Sequence, residues 1–131
     1  MIDLRVPPQA DYAPLAAHLA ADAAVRAQLA AEQSQQLAQA VKLAFELIVR
    51  DAMAAEREPI HVHAAWNAED LRVAISERGL PLDDAAARRD PNWATILDCV
   101  ERAQWKLHAH GSELVLTVRR PHGIGGSGEE P

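Results

Sequence analysis

Two histidine pairs carry the residue types most suited to metal chemistry in this sequence. His61 and His63 stand in the segment HVH, and His108 and His110 stand in HAH. Residues two apart on a strand share a face, so each pair of imidazoles could bind one divalent ion, and four from neighbouring strands could complete a tetrahedral site. No cysteine or carboxylate stands at matching spacing. We therefore expect no metal site and keep the four-histidine site as the alternative.

Other catalytic signatures are incomplete. The glycines at 123, 125 and 128 match GxGxxG, but that motif binds phosphates only between a strand and a helix, and no helical pattern follows here. No GxSxG segment is present. The single cysteine, Cys99, has no second cysteine for a disulfide or a CxxC metal knuckle. The motifs therefore predict no catalytic residue.

Composition limits the class of protein. With 131 residues, 49% of them hydrophobic and 24% charged, the sequence predicts one domain over 1–120 and a disordered Gly-rich tail over 121–131. A net charge of −6 and 4% aromatic residues argue against nucleic-acid binding. Charged residues interrupt every apolar stretch, and the opening MIDLRVPPQ lacks the pattern of a secretory signal. We expect a cytoplasmic protein without membrane association.

Five segments alternate between apolar and polar residues with a period of two, which is typical of half-buried strands. They cover Ile2–Val6, Ile60–Trp66, Leu71–Ile75, Trp105–Ala109 and Leu114–Val118. Such alternation predicts a sheet with one covered face and one face open to solvent. Asn67 to Asp70 is expected to be a hairpin turn.

Helical spacing of apolar residues predicts three helices, from Asp11 to Val25, from Ser34 to Ala55 and from Asn92 to Ala103. The second has the longest apolar stripe and should lie centrally on the sheet. That stripe consists of Leu37, Val41, Ala44, Phe45, Ile48 and Ala52. Residues 77–91 are expected to form a long loop with a helical turn near 84–88.

This order, β-α-α-β-β-α-β-β, predicts an α+β two-layer sandwich with a five-stranded mixed or antiparallel sheet covered on one face by three helices. Phe45, Trp66, Trp105 and Leu107 should be buried. Ile96, Leu97 and Val100 should face inward from the third helix, and His61, His63 and His108 should lie outside.

Three stretches carry a family resemblance. They are IDLRVPPQADYAPL, LAQAVKLAFELIVRDAM and VAISERGLPLDD. In this order they resemble the first strand and helix, the long helix and the adenine-binding strand of the histidine-kinase-like ATPase (GHKL) domain, in the small form of the anti-sigma factor serine kinases. The resemblance extends from about Ile2 to Arg120 and implies the histidine-kinase ATPase-like fold.

The resemblance also implies where Mg²⁺-ATP would bind. On the family's long helix an acidic residue and an Asn four positions later serve ATP and Mg²⁺. Those positions fall on Leu43 and Leu47 in one register, or on Glu46 and Arg50 in the other. Neither register supplies an Asn, and neither Leu nor Arg offers the oxygen ligand that Mg²⁺ demands.

Two further departures concern the adenine turn and the phosphate lid. Glu77, ahead of Gly79, stands where the family has the Asp that reaches the adenine amine. The lid region reads AAARRDPNWATIL and contains no glycine. Backbone amides would not easily close on phosphates there. ATP binding, if retained, would use Glu46, Arg50, Glu77 and Gly79.

These observations predict a non-catalytic regulatory module, related to the anti-sigma factor kinases, that has lost Mg²⁺-ATP and kinase activity and binds a partner protein. The resemblance implies a sigma factor, an anti-anti-sigma-type domain or another signalling protein as partner, and a homodimer stays open. The alternatives are an active ATP-dependent serine kinase with Glu46 as base, and the four-histidine metal protein. The expected partner surface consists of Arg78, Asp83, Asp84, Arg88, Arg89, Asp90 and Trp93.

Overall fold

The computed structural model of the chain describes residues 1–51, 59–78, 84–108 and 111–121. Five strands form one sheet in the order β1-β2-β3-β5-β4, and every neighbouring pair is antiparallel. The strands are β1 (Ile2–Val6), β2 (Ile60–Trp66), β3 (Asp70–Arg78), β4 (Arg102–His108) and β5 (Gly111–Arg119). The predicted α+β sandwich is therefore confirmed, with an entirely antiparallel sheet.

The helices cover one face of this sheet. They are α1 (Ala13–Arg26), α2 (Ala31–Asp51), the short α3 (Asp84–Arg89) and α4 (Pro91–Cys99). The first of them follows a 3-10 turn over Ala10–Tyr12 and accepts Pro14 because a proline is tolerated in the first turn. None of the helices in the described ranges is long and apolar enough to cross a membrane.

Helix α2 lies centrally, as its apolar stripe predicts, because it packs against α1 on one side, α4 on the other and strands β3 and β5 below. Its stripe residues Leu37, Val41, Ala44, Phe45 and Ile48 are fully buried. Ala52 falls outside the described residues. At its start, Gln33 accepts a hydrogen bond from the Ala30 backbone N–H and donates one to the Arg119 carbonyl, which ties α2 to the end of β5.

The β2–β3 hairpin has the turn that its sequence predicts. The Asn67 side-chain oxygen accepts hydrogen bonds from the backbone N–H groups of Glu69 and Asp70, at 2.7 and 2.9 Å. Asparagine favours such turns because its side chain can satisfy the backbone two or three residues ahead. The turn fixes the register in which Trp66 opposes Leu71.

Burial differs from expectation at three apolar positions. Trp66 and Trp105 are only half-buried, and Leu97 is 46% exposed. Trp66 ends β2 next to the hairpin turn, where the helical layer covers it incompletely. Leu97 points outward because α4 is short and contacts the core through Trp93 and Ile96. Leu107 has no described side chain.

The last helix and the segment before it also differ from expectation. Helix α4 ends at Cys99, and β4 begins at Arg102, three residues before the predicted start. Strand β3 continues to Arg78, so Glu77 lies in the sheet rather than in a loop. The helical turn expected near 84–88 is confirmed, as the short helix Asp84–Arg89.

Candidate functional site

The end of α2 is joined to the start of α4 by an ion pair. Arg50 Nη2 donates a hydrogen bond to Asp90 Oδ2 at 2.5 Å, and Arg50 Nε donates to the same oxygen at 3.2 Å. The Asp90 side chain is 8% exposed, whereas that of Arg50 is 51% exposed. The carboxylate is therefore held beneath a guanidinium that still reaches solvent.

Asp90 is also the N-cap of α4. Its Oδ1 accepts a hydrogen bond from the Asn92 backbone N–H at 2.9 Å, with Pro91 in the first turn. Burial alone would raise the pKa of Asp90, but the hydrogen bonds from Arg50 and from the Asn92 N–H outweigh it, and the pKa is lowered. Sequence reasoning assigned Asp90 to a partner surface, although the Asp-Pro-Asn order is itself a helix-start signal.

A second bond fixes α4 on α2. The Asn92 side-chain amide donates a hydrogen bond to the Leu43 backbone carbonyl at 3.2 Å. Leu47 is fully buried, and Leu43 and Glu46 are half-buried. In the first register of the resemblance, the two ATP positions therefore hold leucines packed in or against the core. In the second, they hold Glu46 and the ion-paired Arg50.

Glu77 occupies the covered face near the end of β3. Its side chain is 4% exposed, and within the described ranges neither carboxylate oxygen accepts a hydrogen bond of good geometry, although Ser112 lies beside it. Burial raises the pKa of this carboxyl, and the adjacent Ser112, which faces it across the β3–β5 pair, opposes the rise only in part. Gly79 lies outside the described residues.

The backbone beside Glu77 requires a glycine. Gly111 opposes Arg78 at the start of β5 and has a φ of +150°. A Cβ atom at this position would lie 2.1 Å from the Glu77 carbonyl oxygen. The close approach of the two strands therefore depends on Gly111 and helps to define the position of Glu77.

The expected partner surface divides into buried and exposed residues. Trp93 is 6% exposed and stacks on Trp105, with ring centroids 5.8 Å apart, while the Arg88 guanidinium lies 5.6 Å from the Trp93 ring centre. Arg78 and Arg89 are exposed. Asp83 and the side chain of Asp84 fall outside the described residues. Trp93 therefore supports this surface from below and does not present its ring to solvent.

In the described part of the chain, the strand of His61 and His63 and the strand of His108 are not neighbours, whereas the four-histidine alternative requires neighbouring strands. Strands β3 and β5 separate β2 from β4, so the backbone of His108 lies three strand spacings, about 14 Å, from β2. His110 is outside the described residues. His61 and His63 are half-buried on the open face of the sheet.

Asp3 joins His61 and His63, and sequence reasoning missed it. Its Oδ1 accepts hydrogen bonds from His61 Nε2 at 2.6 Å and from His63 Nδ1 at 2.8 Å. These bonds, first that of His63 and then that of His61, lower the pKa of Asp3. Asp3 directly opposes His63 in the β1–β2 register, and the alternation of β1 alone places it on the open face.

Comparison with known proteins identifies a solved structure with a similar fold. No family model matches the chain, and no curated protein matches it by sequence. Among solved structures, that of the RsbU and RsbW domains of Rv1364c from Mycobacterium tuberculosis is similar, with a TM-score of 0.69 and 17% sequence identity. The similarity covers 92% of this chain and 34% of that one. At this identity the similarity shows a shared fold. The chain spans about a third of the length of the matched chain.

Proposed function

We propose that this chain is a non-catalytic regulatory module, related to the anti-sigma factor kinases, that has lost Mg²⁺-ATP binding and acts by binding a partner protein. RsbW is an anti-sigma factor kinase of the GHKL family, and the shared fold supports that relationship. Fold alone does not fix function, so the proposal depends on the residues at the family's ATP positions.

The Arg50–Asp90 ion pair is the observation that carries the proposal. In the register that gives α2 an acidic residue, the position of the family's Mg²⁺-binding Asn holds Arg50. A guanidinium donates hydrogen bonds and has no lone pair for a cation. Its positive charge would also repel Mg²⁺ at close range.

The ion pair also joins the two helices between which a nucleotide would need space. Asp90 caps α4, and Asn92 binds the α2 backbone, so α4 is held against the half of α2 that carries Leu43 and Arg50. Opening this contact would break the ion pair and expose the buried Asp90 carboxylate. The other register gives no better site, because its positions hold Leu43 and Leu47.

Partner binding is assigned to the surface around α3. We define the α3 surface as Arg88 and Arg89, which are both exposed at the end of α3. Arg78, which the sequence assigned to the same surface, lies instead on the open face of the sheet beside His61. Trp93 lies beneath it, packed on Trp105, and gives it a rigid base. Two adjacent arginines at the end of one short helix favour a partner with an acidic surface, because complementary charge accelerates association and disfavours wrong partners. A sigma factor or an anti-anti-sigma-type domain is the class of partner we expect.

The test compares two charge-reversal variants. Arg88→Glu/Arg89→Glu alters the α3 surface, and Arg72→Glu/Arg102→Glu makes the same charge change on the open face of the sheet. Sigma factors and anti-anti-sigma-type domains from the same genome are titrated with each purified protein. We expect the first variant to lose about tenfold or more in affinity for a bound partner, and the second to bind like the original. Equal binding by all three proteins would remove the α3 surface from the proposal.

Glu77 favours a second candidate function, binding of a nucleotide base without Mg²⁺. The buried oxygens of this carboxyl are incompletely satisfied acceptors in the described ranges, with Ser112 beside them, at the position that resembles the adenine turn. A buried acceptor that is incompletely satisfied destabilises the fold, and a ligand amine could relieve that cost. Thermal-shift measurements with ATP and ADP in EDTA test this. Stabilisation that Glu77→Ala abolishes supports it, and no shift with either nucleotide rejects it.

A further inference from the structure

We propose that Asp3, His61 and His63 form a binding site for a divalent transition-metal ion, for which Zn²⁺ is the best match. The three potential ligand atoms lie within 4.8 Å of one another. The site belongs to the open face of the sheet. It is therefore separate from the α2–α4 contact and independent of the proposed partner function.

The sheet register brings the three groups together. His63 directly opposes Asp3 across the β1–β2 pair, and His61 lies two residues along the same strand on the same face. Cross-strand neighbours have Cβ atoms about 5 Å apart, so their side chains can converge on one point above the sheet. The backbone of two paired strands thus positions all three ligands, without any contribution from a loop.

The side chains already converge on a single atom. His61 Nε2 and His63 Nδ1 both donate to Asp3 Oδ1, and the two rings are edge-to-face with centroids 6.1 Å apart. A divalent ion would replace the two protons that now join the rings to the carboxylate. Each imidazole can stay neutral by carrying its proton on the other ring nitrogen, Nδ1 of His61 or Nε2 of His63.

The ligand chemistry selects the ion. Two imidazole nitrogens and one carboxylate oxygen suit Zn²⁺ and its neighbours in the first transition row better than Mg²⁺ or Ca²⁺, which prefer sets of oxygen ligands. Three protein ligands leave a fourth position open, as in catalytic rather than structural zinc sites. The side chains of His61 and Asp3 are 37% and 50% exposed, so an ion can enter from solvent.

Neighbouring charges indicate what would fill the open position. His61 also lines a cavity of about 250 Å³ together with Arg5, Pro59, Ser76 and Arg78. The two guanidinium groups oppose cation binding, so affinity should be moderate rather than tight. The same groups would favour an anion over neutral water as the exchangeable fourth ligand.

The proposal is tested by calorimetric titration of the metal-free full chain with ZnCl₂, which measures the stoichiometry and the dissociation constant of Zn²⁺ binding. We expect one Zn²⁺ per chain with a micromolar dissociation constant, weakened at least tenfold by Asp3→Ala and by His63→Ala. The controls are His18→Ala, on the exposed face of α1, and His108→Ala/His110→Ala, and both should bind like the original. Melting curves recorded without metal establish that each variant is folded.

Three results would overturn the site. The first is that one Zn²⁺ per chain does not bind at Zn²⁺ concentrations up to about 100 times a micromolar dissociation constant. The second is that Asp3→Ala and His63→Ala bind Zn²⁺ like the original, and the third is that His108→Ala/His110→Ala loses Zn²⁺ binding. Co²⁺ added to the unmodified chain gives a readout that needs no variant. The visible spectrum of four-coordinate Co²⁺ supports the site, and the spectrum of the hydrated ion contradicts it.

Discussion

Arg50 and Asp90, which lie 40 residues apart in sequence, form an ion pair that joins the end of α2 to the first turn of α4. One of the two carboxylate oxygens binds the guanidinium, and the other caps the helix. A single aspartate therefore fixes both the start of α4 and its position on α2. In the register that places Glu46 at the family's acidic position, this arrangement puts a guanidinium where the resemblance implies a metal ligand.

Two substitutions separate these two roles of Asp90. Asp90→Ala removes the cap and the ion pair and should lower the free energy of unfolding at pH 7 by about 1 to 3 kcal/mol. Asp90→Asn keeps a capping oxygen and should cost about 1 kcal/mol or less, because Arg50 is half exposed and can bind water instead. Urea denaturation measures both values. Equal losses in the two variants would mean that the cap contributes nothing.

The Asp90 pair also predicts a dependence on pH. Because the pKa of Asp90 is lowered below 3.8, its contribution is fully present above that value and disappears as the pH falls through the folded-state pKa. The matched control is the exposed Asp22–Arg26 pair on α1, in which Asp22→Asn should cost no more than about 0.5 kcal/mol. A loss in Asp90→Ala that is the same at pH 3 and pH 7 would contradict the ion pair.

Glu77 should show the opposite behaviour. Its pKa is raised above 4.5, so the folded protein binds a proton more tightly than the unfolded chain, and stability falls as the pH rises from about that value. Glu77→Gln, which stays neutral, should melt higher than the original at neutral pH and about equally below pH 4. The exposed Glu69→Gln serves as control. A neutral-pH melting temperature of Glu77→Gln below that of the original would refute the assignment.

Phe45 tests the packing of α2 on the sheet. Its ring is fully buried at the centre of the apolar stripe, so Phe45→Ala should cost about 3 to 5 kcal/mol. Leu97→Ala is the comparison, because Leu97 is 46% exposed and should cost less than about 1 kcal/mol. Denaturant titration of both variants is decisive. A cost below about 1 kcal/mol at Phe45 would place the stripe in solvent.

Gly111 tests the close approach of β3 and β5. Gly111→Ala should destabilise the protein by about 2 kcal/mol or more, because the new Cβ meets the Glu77 carbonyl oxygen and the φ of +150° is strained for alanine. Gly126→Ala, in the tail that the sequence predicts to be disordered, should leave the melting temperature unchanged. A fully stable Gly111→Ala variant would require a different strand register at this end of the sheet.

The fold could be predicted from the sequence because it depends on local periodicity. Side chains alternate between the two faces of a strand, and positions on one face of a helix recur every 3.6 residues. The spacing of apolar residues therefore predicts which of them face the core. The stripe around Phe45 on α2 and the alternation in β2 both follow this rule. Leu97 departs from it, because α4 contacts the core through Trp93 and Ile96 and leaves Leu97 46% exposed.

The candidate site could be predicted only in part, because it consists of contacts between distant segments. Asp3 meets His61 and His63 only once β1 and β2 pair in their register, and periodicity in either strand says nothing about that partner. Likewise, the pairing of Asp90 with Arg50 requires the packing of α4 on α2. By contrast, the Asp-Pro-Asn signal at the start of α4 is local, and the preference for Asp at the N-cap predicts the role of Asp90 from sequence alone.

Calorimetric titration with Mg²⁺-ATP tests the loss of nucleotide binding most directly. The original chain and Arg50→Asn, which restores an asparagine four residues after Glu46, are measured under the same conditions, with melting curves to establish folding. We predict no saturable heat from the original chain at millimolar Mg²⁺-ATP, which corresponds to a binding free energy weaker than about −4 kcal/mol. Binding of Mg²⁺-ATP to the original chain with a micromolar dissociation constant, about −8 kcal/mol, would contradict the account.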